Sequence, residues 1–178
     1  MCALRITNVQ VCSLEVPPAA EEGPEPTAPL WGNMKQGHPM DRFSEPPRYG
    51  SPGGLNWVKV TAENGMWGLG YTDSGSVTSV LIKESLMSLI IGQEVGAIDR
   101  CNDLMWYGTL SFGNEGLTAR AVAAIDLALW DLWGKVLDQP VYRLAGGPAR
   151  QSMDVYVTGQ DVEWSKRQGF YKFKICLL

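Results

Sequence analysis

The chain has 178 residues, a formal net charge of -4 and 45% hydrophobic residues. That is enough apolar material to bury a core, which excludes disorder throughout. The acidic balance, with no basic stripe, excludes a nucleic-acid footprint.

Met1 to Val16 has no basic segment followed by an apolar block, so no signal peptide is expected. Leu4–Val16 alternates loosely and is rich in β-branched residues, which predicts a first strand. Pro17–Pro52 then holds most of the prolines. Proline lacks the amide donor, so this segment can propagate neither helix nor ladder. A loop of this length is expected to act as a lid or binding loop, or to be a disordered insert. Leu55–Ala62 reads as a strand, Glu63-Asn64-Gly65 as a turn and Met66–Thr72 as the return strand. Asn-Gly predicts a type I′ turn, in which both central residues take positive φ.

Ser76–Ile91 has helical periodicity, with Val80, Ile82 and Leu86 among its apolar positions. Val80–Ile91 is also the most apolar run. Lys83, Glu84 and Ser85 interrupt it, so no membrane span is expected and a cytoplasmic location is the default. Ile98–Trp106 is a further short helix. Leu117–Leu137 is the clearest one, with Ala121, Ala124, Ile125, Ala128, Leu129 and Leu132 on one stripe. Gly134 and Pro140 supply stop signals. Beyond Gly146-Gly147-Pro148 come a short strand (Met153–Val157), a short helix that Asp161 could cap (Asp161–Gln168) and another strand (Phe170–Leu178). Together these form one β-α-β unit. The four cysteines, Cys2, Cys12, Cys101 and Cys176, lack zinc-ligand spacing, and a chain this long can rely on its core rather than on disulfides. Gly50–Gly54 lacks the lysine and serine of a phosphate-binding loop.

Two residue patterns carry family information. AVAAIDLALWDLWGKVLDQPVYRLAG, from Ala121 to Gly146, closely resembles the signature segment of the mandelate racemase and muconate lactonizing family of the enolase superfamily. The hairpin WVKVTAENGMWGLGYT looks like that family's capping domain. The resemblance implies an α+β fold: a three-stranded antiparallel meander plus a helical bundle over residues 1–147, an enolase-like capping domain. Residues 148–178 would be the first βαβ unit of a (β/α) TIM-like barrel, truncated here. In the signature helix, Asp126, Trp130, Asp131 and Trp133 are read as structural.

Lys172 and Lys174 stand two apart on a predicted strand and so share a face. Two ammonium groups on one face, further depressed by burial, suit a general base near neutral pH. On the residues alone, they suit a solvated strand edge equally well. The segment is similar to the family's Lys-x-Lys motif at the end of the second barrel strand. The resemblance therefore makes Lys174 the residue that moves the proton next to the substrate carboxylate, with Lys172 tuning it or contacting that carboxylate. PLWGNMKQGHPMDRF and DQPVYRLAGG followed by VYVTG are similar to the L-rhamnonate dehydratase type. Enzymes of that type keep one lysine here and use a histidine from a late barrel strand.

The proline-rich segment corresponds to the family's capping loops. Trp31, His38, Arg42 and Arg48 are its residues able to grip a polyhydroxy acid, arginine through its planar fork. Each is otherwise an ordinary surface residue. His38 is the only histidine, so Ser-His-Asp chemistry is not indicated.

The resemblance further implies a homo-oligomeric hydro-lyase for acid sugars, with magnesium stabilising the enediolate formed when the proton leaves. The family's metal carboxylates end the third, fourth and fifth barrel strands. No metal ligand is therefore assigned here, and this chain alone is expected to be inactive and to bind no magnesium. A racemase or cycloisomerase of the same family, or a non-catalytic capping module, remain the alternatives.

Overall fold

The computed structural model of the chain describes residues 3–14, 55–72, 75–159 and 161–175. The chain divides into two units, residues 1–16 with 51–148 and residues 17–50 with 149–178.

The first unit opens on a three-stranded antiparallel sheet in the order β1-β2-β3: β1 (Ile6–Leu14), β2 (Leu55–Ala62) and β3 (Trp67–Thr72). Val9 pairs with Val60, and Val58 with Gly70. Strand alternation sends Asn56, Val58, Val60 and Ala62 inward, all of them buried. The β2–β3 turn differs from the expected type I′. Among the described residues beside glycine only Asp138 has positive φ, so Asn64 does not, whereas Gly65 stands at +82°. Gly65 N–H donates to the Ala62 carbonyl and Ala62 N–H to that of Met66. The loop therefore has an extra residue, and a single left-handed glycine closes it.

The helical layer follows. α1 (Gly75–Leu81) runs through a π-helical turn at Ile82–Leu86 into α2 (Met87–Ile90). Ile82, Leu86 and Ile90 are all fully buried, spaced by four. At 3.6 residues per turn that spacing drifts about 40° per step, and a wider turn absorbs part of the drift. Val80, another apolar position of this segment, is exposed. α3 (Ile98–Thr109) leads through a 3-10 turn (Leu110–Phe112) to α4 (Leu117–Val136) and then α5 (Val141–Leu144). Buried Asn56 donates from Nδ2 to the Gly75 carbonyl and to Thr78 Oγ1, tying β2 to the start of α1.

All six residues of the expected α4 stripe are completely buried. Across from them, β3 presents Gly68 and Gly70, and sheet and helix meet backbone to backbone. A Cβ on Gly68 would lie 2.1 Å from the Ala128 carbonyl oxygen, and one on Gly70 1.9 Å from that of Ala124. Asp131 fastens the same contact. Its Oδ2 accepts from Leu69 N–H at 2.8 Å and from Lys135 Nζ at 2.7 Å. Lys135 also donates to the Trp67 carbonyl and lies 4.3 Å from the Trp67 ring centroid. The carboxylate thus serves a backbone donor on the outer strand. Gly134 does not end the helix. The chain returns so closely that a Cβ there would meet the Gln139 carbonyl at 2.8 Å, while Asp138 takes the left-handed turn at φ 52°.

Cys101 is fully buried in this core, and burial pushes its thiol up from 9.0 to about 11, with Arg100 pulling weakly the other way. The folded state therefore holds the proton more tightly than the unfolded state. The stabilisation is complete below pH 9 and is lost as pH rises through about 11. The loss is at most of order 2 kcal/mol. Between pH 8.5 and 10.5, the stability gap between the native chain and Cys101→Ala, read from urea midpoints, is expected to narrow. A constant gap would contradict this.

Candidate active site

The second unit is built around a short parallel pair, β4 (Val157–Thr158) and β5 (Phe173–Lys174), joined by α6 (Val162–Arg167). Asp161 caps α6, its Oδ1 accepting from Trp164 N–H at 2.8 Å. At the other end, Gly169 at φ 88° turns the chain. Its N–H donates to the Lys166 carbonyl and Phe170 N–H to that of Ser165, an arrangement that stops the helix and feeds β5. Val157 N–H then donates to the Lys172 carbonyl at 3.0 Å and Gly159 N–H to that of Lys174 at 3.3 Å. The order is strand, helix, parallel strand, as expected, but both strands are shorter than the sequence suggested. A parallel pair needs cover on both faces. Here Val155, Tyr156, Tyr171 and Ile175 are all exposed.

Lys174 lies in β5 across from Thr158, beside the C-terminal end of β4. Lys172, two residues earlier, forms an ion pair with Asp154. Both lysines are exposed. Phe173 between them is half-buried, whereas Tyr171 and Ile175 are exposed. Asp154, at the start of the predicted strand Met153–Val157, was not foreseen as the partner of Lys172. Trp31, His38, Arg42 and Arg48 lie outside the described residues. Asp126 accepts from Asn102 Nδ2 at 2.7 Å, joining α3 to α4, and so holds two helices together.

No group of three or more His, Cys, Asp or Glu among the described residues could hold a metal ion. Magnesium requires near-octahedral oxygen ligation, so these residues do not fit it. Among them, too, no helix is long and apolar enough to cross a membrane.

The family model for the N-terminal domain of mandelate racemase / muconate lactonizing enzyme matches residues 53–146. An L-rhamnonate dehydratase of Saccharopolyspora erythraea is 37% identical over 120 residues, which are 67% of this chain and 31% of that enzyme. The crystal structure of rhamnonate dehydratase from Gibberella zeae, complexed with Mg, superposes with a TM-score of 0.65 at 32% identity, covering 68% of this chain and 30% of that one. A mandelate racemase/muconate lactonizing protein from Paracoccus denitrificans, complexed with magnesium, gives a TM-score of 0.63 at 26% identity, over 93% of this chain and 38% of that one. The matched stretch is thus about three-tenths of the length of the dehydratases it resembles.

Proposed function

Since the chain belongs to the mandelate racemase/muconate lactonizing enzyme family, we propose that it forms the N-terminal part of a magnesium-dependent acid-sugar dehydratase. The preferred substrate class is that of L-rhamnonate. What supports this most is the likeness to L-rhamnonate dehydratases, which spans two thirds of the chain at 37% identity.

In this reading the first unit is the cap, and β4-α6-β5 begins the barrel. Active sites of such barrels sit at the C-terminal ends of the strands, where Lys174 and Thr158 stand side by side. Lys174 takes the proton from the carbon next to the substrate carboxylate. The hydroxyl on the following carbon then takes up a proton from solvent and leaves as water, and the enol that remains gains a solvent hydrogen at that carbon to give the 2-keto acid. Lys172, engaged by Asp154, offers a fixed positive charge to the carboxylate. Trp31, His38, Arg42 and Arg48 remain proposed contacts for the hydroxyl-rich substrate. The metal ligands belong to barrel strands outside this chain, and no step is assigned to magnesium here.

The chain by itself is accordingly expected to give no saturable heat when titrated with magnesium chloride. Tight stoichiometric binding would contradict that placement. The functional reading is tested by incubating the protein that carries this chain with magnesium and a panel of acid sugars, and following 2-keto acid formation. Turnover of L-rhamnonate or a close stereoisomer is expected. Racemisation without loss of water would overturn the dehydratase assignment.

A further inference from the structure

The two edges of the three-stranded sheet differ. Along β3, α4 closes the edge: Asp131 Oδ2 accepts from Leu69 N–H, and Lys135 Nζ donates to the Trp67 carbonyl. Along β1, the loop after α2 closes only the start. Ile6 N–H donates to the Gln93 carbonyl, Gly92 N–H to the Ile6 carbonyl and Val95 N–H to the Leu4 carbonyl. Beyond Ile6 the edge is open.

The ladder says which groups stand free there. Ala62 N–H donates to the Met66 carbonyl, so the Ala62 backbone faces β3. Alternation then turns Thr61, Lys59 and Trp57 toward β1, where they pair with Asn8, Gln10 and Cys12. Val9, Val11 and Ser13 therefore point their N–H and C=O groups away from the sheet. Among the described residues nothing bonds to them. Proteins blunt such an edge with charges or a proline. The nine residues of β1, ITNVQVCSL, include neither.

The dimensions of the open stretch identify what fits it. It runs from Asn8, past the irregularity at Thr7, to Leu14, where β1 ends, and its middle residue is Val11. A second β1, laid antiparallel about a two-fold axis at Val11, fills it from end to end. Val11 then pairs with its own copy and Val9 with Ser13, each pair exchanging both of its hydrogen bonds. Half-buried Val11 is covered by its counterpart, and no like charges meet. A register shifted toward the start of β1 would drive the partner into Gly92 and Gln93. Because α4 closes the opposite edge, the pairing ends at two copies and does not grow into a fibre.

We propose that β1 pairs with β1 of a second copy of this chain, joining the two sheets into one. The test is cysteine cross-linking of the whole chain in oxidised glutathione. In this register residue 10 faces residue 12 of the copy in a non-hydrogen-bonded pair, Cα atoms about 4.5 Å apart, within reach of a disulfide. Gln10 and Cys12 are both exposed. Gln10→Cys, with Cys2 and Cys176 replaced by serine, is expected to give a disulfide-linked dimer. Adding Cys12→Ser should remove it. Val11→Pro takes no bond from the β1–β2 ladder, because that amide faces away from β2. It should lower cross-linking at least about tenfold through the lost inter-copy bonds, with circular dichroism unchanged. A Gln10→Cys chain that stays monomeric under oxidation leaves the edge to some other strand and overturns the proposal. Cross-linking that survives Cys12→Ser overturns it equally.

Discussion

Gly70→Ala is expected to cost the first unit at least about 3 kcal/mol, enough to leave much of it unfolded. The new Cβ would stand 1.9 Å from the Ala124 carbonyl oxygen and 2.9 Å from the Ala128 amide. Both are backbone atoms of a buried helix, so no flexible side chain can yield. Relief would require α4 to move off β3, opening the layer where Ile125, Leu129 and Leu132 are buried. Gly65→Ala is the control. Nothing lies within 4 Å of a Cβ there, but its φ of +82° is unfavourable for alanine, so the cost is backbone strain of roughly 1–2 kcal/mol. Urea unfolding of both variants decides it. A Gly70→Ala midpoint equal to that of the native chain would mean the sheet and helix do not meet this closely.

The second large effect concerns chemistry. Lys174→Ala, made in the protein that carries this chain, is expected to lower turnover roughly a hundred- to ten-thousandfold. Its circular dichroism should be unchanged, because the side chain is exposed and buttresses nothing in the core. Lys172→Ala should cost less, and Asp154→Ala less again, since it removes only the partner of the ion pair and leaves the Lys172 charge in place. Near-normal turnover by Lys174→Ala would move the base elsewhere. The late-strand histidine of L-rhamnonate dehydratase-type enzymes would then be the place to look.

The capping fold was legible because its signals are local and mutually consistent. The α4 stripe follows helical spacing without a gap, and two alternating strands flank an Asn-Gly turn. Where the reading missed, longer-range packing had decided the outcome. The glycines of WGLGYT are positioned to admit α4, something the strand pattern alone did not reveal. Asp138 took the left-handed position after α4, because the close return of Gln139 onto Gly134 fixes the path of the turn. In the second unit, the alternation of Lys172 and Lys174 was visible in the sequence. The pairing of Lys172 with Asp154 was not, because it joins residues 18 apart. The depth of burial expected for the two lysines also depends on neighbours that residues 149–175 do not provide.

The most direct measurement runs the reaction in deuterium oxide with L-rhamnonate and magnesium, using the protein that carries this chain. Removal of the proton next to the carboxylate, followed by loss of the adjacent hydroxyl, leaves an enol that must collect a new hydrogen from solvent. The account predicts a 2-keto-3-deoxy product with one deuterium at carbon 3, and loss of its formation in Lys174→Ala. A product free of solvent deuterium, or unchanged product formation by Lys174→Ala, would contradict it.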